Sequence, residues 1–205
     1  MIDPAKILLP ATARGTPILL LRAADWKKAE TALPAATRAW AKANGFKAEA
    51  GRALMVPDRN GAVGQVLAGL SDTEPFVSGQ ISRQLPEGAY VLHGKPTSLD
   101  LFALGWCLEA YGFDSYRNAA GKLVQLACPK GVDRDGVLRS ARASYLVRDL
   151  VNTPASDMGP DELEAAARAV AKAQKALVKV ISGKQLEREF PMIYAVGKAS
   201  PGRRA

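Results

Sequence analysis

The stretch Arg148-Asp-Leu-Val-Asn-Thr-Pro-Ala155 marks the point at which the pattern of the sequence changes. Before and into it, residues 132 to 151 carry apolar side chains at helical spacing, which predicts one long helix. Residues 152 to 156 then predict a loop. Pro160 follows, and proline is favoured as the first residue of a new helix. The sequence therefore divides at this stretch into two segments, and the long helix connects them.

The segment before the long helix alternates short apolar runs with helical patterns, which is typical of an α/β fold. Five short runs predict strands, at residues 17–21, 52–56, 62–68, 88–93 and 123–128. Pro57-Asp-Arg-Asn-Gly61 predicts a hairpin turn between the second and third runs. Helical patterns cover residues 26–45, with an interruption at Pro34, then 75–84 and 99–111. We expect a mixed β-sheet flanked by helices over residues 1–130 and a connector helix over 131–151.

The segment after the stretch contains too few elements for an independent core. Its pattern predicts a helix from Pro160, a strand at residues 177–181, a short helix at 184–189 and a final apolar stretch at 192–197. A single strand needs neighbours with which to form hydrogen bonds. We therefore expect residues 152–205 to be the truncated opening of a second α/β domain, with apolar surface exposed over residues 155–200.

Composition places the chain among ordinary cytoplasmic globular proteins. Its 205 residues are 48% hydrophobic and 23% charged, enough for a core without disulfides or metals. Cys107 and Cys128 lie in apolar surroundings and lack metal-ligand spacing, so we expect buried thiols in a reducing compartment. The N-terminus does not resemble a signal peptide, and the apolar run from Ile18 to Leu21 is far too short to span a bilayer.

The net charge of +8 permits binding to nucleic acid or to acidic lipid. The basic residues are spread along the chain, without a dense run and without interleaved aromatic side chains. A nucleic-acid-binding module stays open as an alternative function. The other explanation of the net charge is an ordinary solvated surface. In that case acidic residues elsewhere in a larger protein would balance the positive charge.

No motif assigns a catalytic, cofactor-binding or metal-binding residue to this chain. His93 is the one histidine, so it cannot supply a metal site alone. A P-loop, a dinucleotide-binding glycine motif and a His-Glu-x-x-His motif are absent from the sequence. Several carboxylates are explained by their place at the start of a helix or on a solvated surface and do not indicate a metal site. These residues are Asp133, Asp135, Asp161, Glu162, Glu164, Glu187 and Glu189.

The stretch Arg148–Ala155 resembles the segment that opens the catalytic domain of the leucyl aminopeptidase (cytosol aminopeptidase) family of two-metal exopeptidases. The resemblance continues through Pro160-Asp-Glu-Leu163, Val178-Lys-Val-Ile181 and the stretch from Phe190 to Ser200. Upstream, Ala110-Tyr-Gly-Phe-Asp-Ser-Tyr116 is similar to an element of the family's N-terminal domain. Two positions depart from the family pattern: Ser156 replaces the usual asparagine, and Gly159 replaces a common threonine.

The resemblance implies a full-length parent that removes N-terminal amino acids from peptides with two divalent metal ions, Mn or Zn. The family's two metal-binding motifs do not occur in this sequence, and Lys198 matches an earlier stretch that holds no ligand. The resemblance therefore predicts that these residues are inactive alone and act in assembly or regulation. It also implies a homo-hexameric parent whose peptide substrate binds through the missing part. Some N-terminal domains of the family bind DNA.

Overall fold

A computed structural model describes residues 2–116 and 122–199. The chain divides into two compact units between Leu146 and Val147. The described residues of the first unit form the β-sheet, two short 3-10 helices and five α-helices, the last of which continues into the second unit. In the part of the chain that the structure describes, no helix combines the length and apolar character needed to cross a bilayer.

The sheet of the first unit has six strands, in the order β1-β6-β5-β2-β4-β3. All neighbouring strands run parallel except β3 and β4, which are antiparallel. The strands are β1 (Leu8–Leu9), β2 (Thr16–Arg22), β3 (Ala53–Pro57), β4 (Val63–Leu70), β5 (Gly88–His93) and β6 (Val124–Ala127). The sheet is therefore mixed, as expected from the sequence, and β3 and β4 form the predicted hairpin.

Helices cover both faces of this sheet because side chains of a strand point alternately to opposite faces. Ile18 and Leu20 of β2 pack into a large core with three helices, α3 (Val77–Gln84), α4 (Leu99–Glu109) and α5 (Arg134–Asn152). Leu19 and Leu21 belong to a smaller core on the other face, formed with α1 (Trp26–Ala32) and α2 (Ala35–Ala43). The first unit is thus a three-layer α/β/α structure, and Pro34 separates α1 from α2 as predicted.

Two of the differences between the first unit and the sequence prediction concern β1 and α4. Strand β1 was not predicted, because two residues carry too little pattern, and it forms by pairing with β6. Helix α4 ends at Glu109, two residues before the predicted end at Tyr111.

In the described part of the second unit, all regular secondary structure is helical. It contains the last residues of α5 and three further helices, α6 (Pro160–Gln174), α7 (Gly183–Glu189) and α8 (Pro191–Gly197). The predicted strand at residues 177–181 is wrong, because these residues form neither strand nor helix. The described residues of this unit offer no neighbouring strand for pairing, and an unpaired strand leaves its backbone groups unsatisfied. Residues 200–205, on which the prediction of an unfinished end partly rests, lie outside the described residues.

Candidate functional site

Helix α5 has two different halves on either side of the junction between the units. Val137, Leu138, Ala141 and Tyr145 are buried and place one stripe of the helix against the core of the first unit. The Tyr145 hydroxyl donates a hydrogen bond to the carbonyl oxygen of Cys107 in α4. Its ring lies 5.1 Å from that of Tyr111, measured between centroids. Beyond this point Val147 and Val151 are exposed, so α5 begins as a core helix and ends with apolar side chains in solvent.

The loop that follows α5 is held by local hydrogen bonds. The Thr153 hydroxyl donates to the carbonyl oxygen of Asp149 (2.7 Å), and the amides of Asp157 and Met158 donate to the carbonyl oxygen of Pro154 (2.8 and 2.9 Å). The Gly159 amide donates to the carboxylate of Glu162 (2.9 Å). This hydrogen bond is one of the two in a capping box, and it uses the backbone of the N-cap residue, not its side chain. Glycine at position 159 therefore leaves the start of α6 at Pro160 intact.

Apolar side chains stay exposed along the rest of the second unit. In α6 only Ala171 is buried. Eight large apolar residues are each at least 42% exposed, and they are Leu163, Val170, Leu177, Val178, Phe190, Met192, Ile193 and Val196. The exposed apolar surface predicted for residues 155–200 is thus confirmed. Apolar surface of this extent is typical of regions that take part in interactions.

His93 and the two cysteines have different surroundings in the structure. His93 is exposed at the end of β5. Cys107 and Cys128 are buried as predicted, and burial raises the pKa of the Cys107 thiol to about 12, so it stays protonated and unreactive at neutral pH. Burial also raises the pKa of Cys128.

The described residues do not fit a metal site. Among them, no group of three or more His, Cys, Asp or Glu side chains could hold a metal ion. At the start of α6, the Glu162 carboxylate already accepts the Gly159 amide. The two divalent ions that the resemblance implies cannot be placed on these residues. The expectation that this chain supplies no catalytic residue and no metal ligand stays a prediction.

The carboxyl edge of the parallel strands is closed by an ion pair that sequence reasoning missed. In open α/β sheets, ligands bind at the carboxyl ends of two adjacent strands whose following connections cross to opposite faces of the sheet. β2 and β5 are two such strands, because β2 leads to α1 and α2 on one face and β5 leads to α4 on the other. The Arg22 guanidinium lies at this point, donating to the Asp72 carboxylate (2.7 Å) and to the carbonyl oxygen of Lys95 (3.3 Å). The hydrogen bond from Arg22 holds the pKa of Asp72 below its usual value. These contacts link the segments that follow β4 and β5 to the end of β2.

A cavity of about 300 Å³ opens at the opposite edge of the sheet. It lies beside the first residue of β6, Val124, and the carboxyl ends of α3 and α4. The Trp106 side chain forms part of its wall, and the charged residues around it are Arg83, Glu109, Asp114 and Lys122. The sequence offered no signal for this cavity, because Arg83 and Glu109 are 26 positions apart and meet only after α3 and α4 have packed.

Two protein families match this chain, one for each segment. Residues 16–129 match the family described as the M17 aminopeptidase N-terminal domain. Residues 145–205 match the catalytic domain of the cytosol aminopeptidase family. No curated protein matches the chain.

Solved structures give the same relationship. The cytosol aminopeptidase from Coxiella burnetii is 35% identical over 94% of this chain, with a TM-score of 0.86. The leucyl aminopeptidase from Trypanosoma brucei, solved with bestatin, is 20% identical over 97% of the chain (TM-score 0.65). The bottromycin maturation enzyme BotP, solved with Mn, is 20% identical over 86% (TM-score 0.62). The latter two show similarity of fold alone. The chain covers 43%, 44% and 40% of the lengths of these proteins, respectively.

Proposed function

The chain belongs to the M17 cytosol aminopeptidase family, and we propose that it forms the N-terminal domain and the first layer of the catalytic domain of a cytosolic metalloaminopeptidase. In this proposal residues 1–130 are an accessory domain, 131–151 a connector helix and 152–205 the opening of the catalytic domain. The whole enzyme removes N-terminal amino acids from peptides. This chain alone is inactive and contributes to assembly or regulation.

The exposed apolar face of the second unit is the observation that carries the proposal. The segment that matches the catalytic domain also leaves large apolar side chains in solvent. Burying such side chains stabilises a protein by about 1.5–3 kcal/mol each, so leaving eight of them exposed forgoes a substantial part of a core. The first unit shows the opposite behaviour, with two closed cores. The second unit therefore supplies one side of a core whose other side is further catalytic-domain sequence.

In our proposal, the described residues of this chain do not bind the metal ions of the family. When bound, two divalent ions polarise the scissile carbonyl and lower the pKa of a water molecule. A relative has been solved with Mn, but the described residues of this chain offer no suitable ligand set. In our proposal the ligands belong to the remainder of an M17 catalytic domain. The role of this chain is to hold that remainder in place and to contribute to a homo-hexamer.

The test of inactivity uses the purified chain with leucine p-nitroanilide, in the presence of Mn²⁺ or Zn²⁺. We expect no turnover above the rate of the metal ions alone, because no described group can activate water between two metals. The Coxiella burnetii enzyme, assayed in parallel, is the positive control. Metal-dependent turnover that copurifies with this chain and is abolished by EDTA would falsify the proposal.

Nucleic-acid binding is the second candidate, and the charge distribution favours one surface for it. From α1 to the start of β3 the chain carries six basic residues and two acidic ones. The basic residues are Lys27, Lys28, Arg38, Lys42, Lys47 and Arg52, and the acidic residues are Glu30 and Glu49. Two of the arginines have structural duties, since Arg38 donates to the carbonyl oxygen of Leu33 and Arg52 to that of Gly45. Fewer cations are therefore available for phosphates than the count suggests.

A salt titration separates the two candidates. If this surface binds nucleic acid, duplex DNA binds at about 50 mM salt and its affinity falls steeply as salt rises, since each phosphate contact releases a counterion. Lys27→Gln combined with Lys28→Gln would lower the affinity and the salt dependence together. Absence of binding at low salt eliminates the second candidate and leaves the first unaffected.

A further inference from the structure

We propose that the cavity beside β6 and the ends of α3 and α4 binds a small zwitterion with an apolar side chain, of the kind found in free α-amino acids and short peptides. The cavity belongs wholly to the first unit, so this inference does not rest on the proposed function. It assigns a small-molecule binding site to the first unit.

The wall of the cavity is apolar and rigid before any ligand arrives. Trp106 is almost completely buried, and its indole nitrogen donates to the carbonyl oxygen of Val124 (3.0 Å). Its ring also contacts Phe102 and Tyr90, with both centroid distances 6.3 Å. Val124, Ala110 and Ile2 complete the apolar lining. A wall fixed in this way binds an apolar side chain without first losing conformational entropy.

The rim carries both signs of charge in fixed positions. Arg83 forms a two-pronged pair with Glu109, from its Nε to Oε1 (2.6 Å) and from its terminal nitrogen to Oε2 (2.9 Å). The Lys122 ammonium donates weakly to the carbonyl oxygen of Arg83 (3.5 Å), which brings the second cation beside the pair. The rim therefore offers cations for a carboxylate, and Glu109 offers an anion for an ammonium group. Because α3 and α4 end here, their dipoles also favour an ammonium group.

The size of the cavity limits the ligand. Small-molecule sites commonly occupy about 300–1,000 Å³, and this cavity of about 300 Å³ lies at the lower end. It accommodates a free amino acid or a dipeptide but not a nucleotide. The rim carries two cations, Arg83 and Lys122, and two anions, Glu109 and Asp114, so a zwitterion leaves its charge balanced, whereas a ligand with one charge does not.

The test observes the indole N–H of Trp106 by ¹H–¹⁵N NMR while leucine is added up to about 20 mM. We expect a saturable shift of the Trp106 signal, with a Kd on the order of 1 mM, and no shift of Trp26, which lies on the other face of the sheet. Leucinamide lacks the carboxylate and 4-methylpentanoate lacks the ammonium group, so each should bind at least about tenfold more weakly. The dipeptide Leu-Leu distinguishes the two classes of ligand. If it binds more tightly than leucine, the site takes short peptides, and if it binds more weakly, the site takes free amino acids.

Two variants and one control locate the binding. Lys122→Gln and Glu109→Gln each remove one charge from the rim and should weaken leucine binding by about fivefold to tenfold. Lys130→Gln changes an exposed lysine outside the cavity and should bind leucine as the unmodified chain does. Thermal unfolding of each variant confirms that the fold survives. The inference is overturned if the Trp106 signal does not saturate, if leucinamide and 4-methylpentanoate bind as well as leucine, or if both rim variants bind with unchanged affinity.

Discussion

Replacing Tyr145 with alanine should destabilise the first unit strongly, although this residue lies only two positions before the second unit. Its side chain is completely buried, its hydroxyl donates to the carbonyl oxygen of Cys107, and its ring contacts Tyr111. Removal of a buried aromatic side chain typically lowers the free energy of unfolding by about 3–5 kcal/mol. With a denaturant slope of about 2 kcal/mol per M, the urea midpoint should fall by about 2 M.

Tyr145→Phe separates the hydrogen bond from the packing. The carbonyl oxygen of Cys107 also accepts the Ala110 amide, so losing the tyrosine hydroxyl does not leave it without a donor. The expected loss is therefore about 1 kcal/mol.

Tryptophan fluorescence is a suitable assay because all three tryptophans lie in the first unit. Val147→Ala is the matched control, two positions further along the same helix but exposed, and it should change the free energy of unfolding by less than about 0.5 kcal/mol. Equal urea midpoints for Tyr145→Ala and Val147→Ala would refute the reasoning, since they would mean that α5 does not belong to the core of the first unit.

Three further predictions concern the rest of the molecule. Because burial raises the pKa of Cys107 from 9.0 to about 12, the unfolded chain loses this proton before the folded one, and the free energy of unfolding should fall between pH 9 and 12 by up to about 1.4 kcal/mol per pH unit. Cys107→Ala should remove that part of the slope, and identical slopes would contradict it. Gly69→Ala would place a methyl group in severe overlap with the carbonyl oxygen of Glu49, so urea unfolding should show a loss of at least about 2 kcal/mol, whereas Gly112→Ala, with no described atom close to the added methyl group, should be neutral. Met192→Ser together with Ile193→Ser should reduce the fluorescence of a bound apolar dye without moving the tryptophan-detected midpoint, and unchanged dye binding would argue against an exposed apolar face.

The sheet was largely predictable because its strands carry their own pattern. In β2, residues 18–21 are apolar on both faces, which is typical of a strand covered by helices on each side. The hairpin followed from its turn residues. The same reasoning failed at residues 177–181, since an apolar, β-branched run indicates a strand only where a neighbour is available for pairing. In α4 the helical spacing of Leu101, Leu104, Leu108 and Tyr111 indicated the wrong side. The structure buries Phe102, Ala103 and Trp106 almost completely, and the spacing misled because apolar residues lie on all sides of this helix.

The charged contacts of the first unit were beyond sequence reasoning. Arg22 and Asp72 are 50 positions apart, and only the strand order β5-β2-β4 brings them together. Arg83 and Glu109 meet through the packing of α3 on α4. In each case the residue types are common and the spacing follows no motif. The family resemblance, by contrast, could be found from one short stretch, because the residues from Arg148 to Ala155 combine residue types in an unusual order.

The central claim is that the second unit forms one side of an M17 catalytic core. It is tested most directly by co-expressing this chain with the catalytic-domain remainder of the Coxiella burnetii enzyme, the part beyond the 43% of its length that this chain matches. The Coxiella enzyme, divided at the same position and co-expressed as two pieces, is the matched control. We predict that this chain copurifies with the remainder and gives metal-dependent leucyl aminopeptidase activity, and that Met192→Ser with Ile193→Ser weakens both. The claim is contradicted if the two Coxiella pieces reassemble into an active enzyme while this chain neither binds the remainder nor supports turnover.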